Sequence, residues 1–183
     1  MPRTALLVVD MLNTYDHEDG DALLESVREV VPVIADLIAQ VRDGDDDDNL
    51  LVYVNDNHED WTSGRGGLTD WALKGRDPSV IEPIAPPDDV PFLVKARHSA
   101  FYATQLEYLL RSQGVERVVV AGQVTEQCIL YTALDAYIRH FDIVVPRDAV
   151  AHIDRELADA ALRLMETNMR AEIVEAREVF ARA

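Results

Sequence analysis

The chain has 183 residues, about half of them apolar, which suits a single globular domain with one sizeable core. A formal charge of −17 argues against nucleic acid or an anionic membrane as partner and leaves a small-molecule ligand open. The apolar runs are too short for a transmembrane helix, and the start reads as a core strand rather than a signal peptide. With one cysteine there is no internal disulfide, which fits a cytoplasmic protein.

The run Leu6-Leu7-Val8-Val9 has the signature of a strand covered on both faces, and Asp10 ends it. An acid there lies at the carboxyl edge of the sheet, where open α/β folds place their sites, although a turn or cap aspartate fits the same spot. From Asp21 to Arg42, Leu23, Val27, Val30, Ile34, Leu37 and Val41 recur at helical spacing. Pro32 inside that stretch predicts a kink, or two helices meeting near Glu29. The acids from Asp45 to Asp48 read as a solvated connection.

Leu50 to Val54 is the second strand, ending in Asn55-Asp56-Asn57-His58. Residues 59–91 carry four glycines and several prolines and read as a loop-rich insert with one helical turn near Trp71. Phe92 to Val94 is a short third strand that Lys95 follows directly. Ser99 is a candidate cap for a helix from Ala103 to Gln113, closed by Gly114.

Arg117 to Ala121 is the fourth strand, and Gly122-Gln123-Val124-Thr125-Glu126-Gln127-Cys128 opens a helix running to about Arg139. That helix is apolar nearly all round, predicting burial against the sheet and against another subunit. A fifth strand at Asp142–Val145 follows. An amphipathic helix at Asp154–Met169 comes next, with Leu157, Ala161, Leu164 and Met165 inward. A sixth strand at Ala171–Val174 and a short terminal helix complete the order. The alternation predicts a three-layer α/β fold, a mostly parallel six-stranded sheet with helices on both faces.

Asp10, Lys95 and Cys128 each stand at a predicted strand end, or one turn beyond it. A thiol near a helix N-terminus and beside an ammonium is expected to have a lowered pKa. Cys128 would then be alkylated well below pH 8, and Asp10→Asn or Lys95→Ala would slow it. A carboxylate in reach can take the thiol proton and return it to a leaving amine. Read singly, Cys128 fits an inert buried thiol equally well, and Lys95 a surface lysine.

Three blocks carry a family resemblance: Leu7-Val8-Val9-Asp10-Met11-Leu12-Asn13, Lys95-Ala96-Arg97-His98-Ser99-Ala100-Phe101, and Gly122 to Cys128 as G-x-V-T-x-x-C. In that order the chain resembles the isochorismatase-like cysteine hydrolases, the group that includes nicotinamidases and N-carbamoylsarcosine amidohydrolase. The resemblance implies a triad of Asp10, Lys95 and Cys128. It also implies a cis peptide between Gln123 and Val124, and an oxyanion hole from the backbone N–H groups of Val124 and Cys128. Hydrolysis of an amide or carbamoyl C–N bond without a cofactor follows, in a homodimer or homotetramer.

Tyr15, Asn57, Trp61, Phe101 and Thr125 are candidates for the substrate pocket. Asp56 and His58 match the D-x-H of the metal-binding relatives, but without a further histidine nearby the expectation is no metal. The competing functions are vinyl-ether hydrolysis, which isochorismatase-type relatives perform without a nucleophilic cysteine, and small-molecule binding without catalysis.

Overall fold

The computed structural model describes residues 3–44 and 49–181; the acid run Asp45–Asp48 lies outside the described residues. In chain order the elements are β1 (Arg3–Val9), α1 (Gly20–Asp43), β2 (Asn49–Asp56), α2 (Arg65–Ala72), β3 (Phe92–Lys95) and α3 (Leu106–Ser112). Then come β4 (Val115–Gln123), a π-helical turn (Thr125–Ile129), α4 (Leu130–Ile138), β5 (Asp142–Pro146), β6 (Val150–Ala151), α5 (Arg155–Met169), β7 (Glu172–Val174) and α6 (Ala176–Val179). The sheet runs β3-β2-β1-β4-β5-β7, with β6 paired to β4 beyond the end of β5, and every pairing is parallel.

The chain winds outward from β1 through β2 to β3, then returns to lay β4 on the other side of β1. This places the topological switch point between the two strands that carry Asp10 and the cysteine-bearing turn. Alternation along β1 divides the core. Leu6 and Val8 pack under α1 with Val27, Ile34 and Leu37, whereas Ala5, Leu7 and Val9 join Leu106, Ile129, Ala133 and Met165 on the opposite face. Both faces of the strand are covered, which is why its sequence is a continuous apolar run.

Helix α1 is a single helix, with Pro32 exposed inside it. An interior proline costs about 3 kcal/mol. Burial of each valine, leucine or isoleucine of the inner stripe returns about 1.5–3 kcal/mol, so Val27, Val30, Ile34 and Leu37 outweigh the break. The insert at 59–91 is more regular than its glycines suggest. Arg65–Ala72 is a two-turn helix anchored by buried Leu68 and Ala72, and two 3₁₀ turns follow at Pro78–Val80 and Glu82–Ile84.

Ser99 does not cap α3: its Oγ accepts the N–H of Phe101. The helix starts three residues later than expected, and the hydroxyl of Thr104 accepts the N–H of Leu106. On α5 the inward stripe is Ala158, Ala161 and Met165, while Leu157 and Leu164 are exposed, a rotation of the face by one position. Helix α4 buries Thr132, Ala133 and Ala136 but leaves Tyr131, Leu134, Tyr137 and Ile138 exposed on this chain.

One backbone contact at the switch point sets the approach of β4 to β1. Gly122 has φ +124° and pairs with Val9; a Cβ on it would lie 2.1 Å from the Val9 carbonyl oxygen. Gly122→Ala is therefore expected to destabilise the chain by about 3 kcal/mol, adding a positive-φ penalty to a backbone clash. A urea-unfolding midpoint checks this; an unchanged midpoint would show that the strand shifts freely.

Candidate active site

Backbone geometry brings the three strand ends to one point. Asp10 leaves β1 with φ +57°, a left-handed conformation that aspartate tolerates better than most residues, and its N–H bonds the Val54 carbonyl of β2 at 2.9 Å. Its own carbonyl accepts Gln123 Nε2 at 2.6 Å, tying the end of β1 to the end of β4. Asp56 and Lys95 face each other in the β2–β3 register, and β2 lies between β3 and β1. The lysine stem spans that gap and is wholly buried.

The Lys95 ammonium has three acceptors. Nζ lies 2.7 Å from Asp10 Oδ2, 3.4 Å from Asp56 Oδ2 and 3.7 Å from Cys128 Sγ. The other oxygen of Asp10, Oδ1, accepts the Asp56 N–H at 2.7 Å, and the carboxylate lies close enough to Cys128 to act on its pKa. Burial pulls the Lys95 pKa down, but Asp10, Cys128 and Asp56 outweigh it and hold the ammonium above its ordinary range.

Cys128 sits in a π-helical turn rather than in the first turn of an α-helix. Val124 precedes the turn, its carbonyl accepting both the Gln127 and Ile129 N–H groups, and the Gln123–Val124 peptide is cis. The turn is fastened from behind. Thr125 Oγ1 donates to the Ala151 carbonyl at 2.9 Å, and Glu126 Oε1 accepts the N–H groups of Ile153 and Asp154. The two-residue β6 thus serves as an anchor for the turn that carries the thiol.

The expected lowering of the thiol pKa does not occur. Burial pushes Cys128 well up, the Asp10 carboxylate pushes further in the same direction, and Lys95 only partly opposes them. The helix-terminus argument is sound for an open thiol, but desolvation beside a carboxylate is the larger effect here. Burial and the neighbouring carboxylate thus favour the thiol form of Cys128 in the folded chain. Iodoacetamide alkylation should keep climbing through about pH 8 to 9, because a raised pKa leaves little thiolate below its ionisation. Asp10→Asn removes one raising influence while Lys95 remains, so alkylation at about pH 8 should rise, opposite to the slowing expected from sequence. A slower variant would contradict this balance.

Cys128 lines one concavity, and a second opens beside its neighbours Lys95 and His98. One of about 260 Å³ is lined by Asp10, Val124 and Cys128 with Asn13, His17 and Gln127. A larger cleft of about 1030 Å³ is lined by Lys95, Asn57, Trp61, Arg97 and His98.

Of the five pocket candidates, Asn57 and Trp61 reach this cleft, Trp61 with 81 % of its surface exposed. The other three belong to the core. Tyr15 is fully buried with its hydroxyl 3.4 Å from Gln123 Oε1. Phe101 packs on Phe141 beneath the Arg139 guanidinium, and Thr125 is committed to Ala151. Their nearness in sequence to the three blocks says nothing about which way each side chain turns; Tyr15, at φ +58°, turns inward.

Asp56 and His58 are both engaged by neighbouring protein groups. Asp56 serves Lys95 and the His58 N–H, and His58 Nε2 lies 3.0 Å from the Leu12 carbonyl with its ring against Trp71. Among the described residues no group of three histidine, cysteine or acidic side chains is placed to hold an ion. The role of Asp56 as a partner of Lys95 was not foreseen, nor was the position of His98, whose Nδ1 lies 3.7 Å from Cys128 Sγ. The strand register signals the first once Lys95 is placed; nothing periodic signals the second.

Comparison with known proteins extends this picture along the whole sheet. The isochorismatase domain model matches residues 4–178. The chain is 33 % identical to the isochorismatase family protein YaaI of Bacillus subtilis over 175 residues, covering 96 % of this chain and 95 % of that one. It is 32 % identical to maleamate amidohydrolase of Pseudomonas putida, covering 81 % and 72 %. Among solved structures, N-carbamoylsarcosine amidase from Thermoplasma acidophilum superposes with a TM-score of 0.73 at 29 % identity, covering 98 % and 99 %. No helix among the described residues is long and apolar enough to cross a membrane. With its parallel sheet, its switch point between β1 and β4 and a family match over nearly its full length, the chain belongs to the isochorismatase family and is a hydrolase.

Proposed function

We propose that this hydrolase cleaves the C–N bond of a small amide or carbamoyl compound through a covalent intermediate on Cys128. The observation that carries the reading is the buried Lys95 ammonium, which touches the Asp10 carboxylate at 2.7 Å and the Cys128 sulfur at 3.7 Å. A surface lysine or an inert thiol would have no reason to be so held. The raised thiol pKa supports proton transfer concerted with attack rather than a standing thiolate.

Asp10 takes the thiol proton as Sγ bonds to the carbonyl carbon. The backbone N–H groups of Val124 and Cys128 receive the developing oxyanion. Asp10 then returns the proton to the leaving nitrogen, and the departing ammonia or amine leaves a thioester or thiocarbamate that water hydrolyses. Lys95 keeps the carboxylate oriented and offsets its charge. No cofactor enters these steps.

Maleamate amidohydrolase and N-carbamoylsarcosine amidase, both similar to this chain, make amides and carbamoyl compounds that also bear a carboxylate the first substrates to test. The test is ammonia release from maleamate, N-carbamoylsarcosine, other ureido acids and nicotinamide, wild type against Cys128→Ala. Cys128-dependent release from at least one is the expected result; no release from any amide or ureido acid would count against the assignment. The unpaired thiol fits action in the cytoplasm. The exposed α4 face of Tyr131, Leu134, Tyr137 and Ile138 is proposed as the contact of a homodimer or homotetramer, which sedimentation would resolve.

A further inference from the structure

The three groups of the proposed triad share one demanding geometry around Asp10. Its Oδ1 accepts the Asp56 N–H and its Oδ2 the Lys95 ammonium, both at 2.7 Å, and the same ammonium reaches the Cys128 sulfur at 3.7 Å. The side chain is 9 % exposed. This arrangement suits a proton passed over a short fixed path between sulfur and a leaving nitrogen.

A second proton acceptor stands on the solvent side of the same sulfur. His98 Nδ1 is 3.7 Å from Cys128 Sγ, and the ring is exposed in the wall of the larger cleft. Tyr131, on the first turn of α4, lies against the imidazole with ring centroids 5.4 Å apart, which limits how the ring can turn away from the thiol. Apart from the sulfur and this tyrosine ring, the described residues give His98 no hydrogen-bond, ion-pair or ring partner. Its position is therefore not explained by holding the fold together.

We propose that His98 is a second catalytic residue, the general base for hydrolysis of the acyl-enzyme; this rests on the Cys128 reading above. Asp10 serves acylation, in which the scissile C–N bond breaks. In the second half, water enters from the cleft and its oxygen bonds to the thioester carbon while Nδ1 of neutral His98 takes one of its protons. The tetrahedral adduct collapses, the C–S bond breaks, and the sulfur leaves with the bonding pair. His98 returns the proton to that sulfur, so thioester and water become carboxylic acid and Cys128 thiol. A general base of this kind contributes about 10²–10⁴ in rate.

The probe is 4-nitrophenyl acetate, whose acylation of a thiol releases coloured nitrophenolate and whose turnover requires deacylation. With His98→Gln, the Cys128-dependent burst should stay within about threefold of wild type. Steady-state release should fall by about 10²-fold, with acetyl-Cys128 accumulating in the intact mass. In His98→Gly, added imidazole should restore steady-state turnover, which no purely structural role would allow.

His98→Gln turning over like wild type, with no accumulated acyl-enzyme, would overturn the inference alone. So would loss of the burst itself in a folded His98→Gln chain, since that places the histidine in acylation. Absence of any Cys128-dependent burst in the wild type would overturn the nucleophile reading, and this inference with it.

Discussion

Cys128→Ala should reduce amide hydrolysis by at least about 10⁴-fold while leaving the fold intact, the scale seen when a covalent nucleophile is removed. The fold should survive because Cys128 is only partly buried and its sulfur makes contacts to Lys95, His98 and Asp10 rather than filling the centre of the core. Truncation even removes the group that competes with Asp56 for the lysine. Circular dichroism and the thermal midpoint should therefore match the wild type while ammonia release disappears. Ammonia release retained in this variant would contradict a covalent role for Cys128.

Lys95→Ala should be costly in both currencies, activity and stability. The ammonium is fully buried, and its removal leaves the carboxylate of Asp10 in a nearly closed site with the Asp56 N–H as its remaining short donor. Breaking a buried ion pair from one side costs about 3–5 kcal/mol; the partial exposure of Asp56 and the neighbouring cleft place the expected loss near 3 kcal/mol. For a domain of this size that lowers the thermal midpoint by roughly 6–12 °C. Turnover should fall by about 10³-fold, since the base is left unoriented and the site more negative. The double variant Lys95→Met with Asp10→Asn should recover much of the stability and none of the activity, because the buried carboxylate is neutralised with its partner and Asp56, the charge left behind, reaches solvent. A Lys95→Ala chain as stable as wild type would show that the pair is not held as described.

The sheet and the strand ends that frame the candidate site were legible in the sequence largely for one physical reason. Strands buried on both faces need unbroken apolar runs, so β1 and β4 announce themselves, and the first polar residue after each marks the carboxyl edge. Asp10 is that residue for β1, Cys128 lies on the turn just beyond β4, and Lys95 ends the short, partly exposed edge strand β3.

Features set by tertiary contact were not legible. The two residues of β6 are a strand only because Gly122 and Gln123 pair with them. Gly66 and Gly67 mask the helix at Arg65–Ala72, which Leu68 and Ala72 stabilise by burial. The direction of the Cys128 pKa is set first by burial and then by a carboxylate more than a hundred residues away in the chain, and local helix position alone points the wrong way. His98 is likewise a neighbour of Cys128 only in space.

Rapid acid quenching of the wild-type chain during turnover of 4-nitrophenyl acetate, followed by intact mass and peptide mapping, tests the central claim most directly. The chain's single cysteine makes the site of modification unambiguous. One acetyl group on Cys128, formed with the nitrophenolate burst and lost as turnover ends, is the result the geometry predicts. Turnover that proceeds with Cys128 unmodified, and at the same rate in Cys128→Ala, would contradict it.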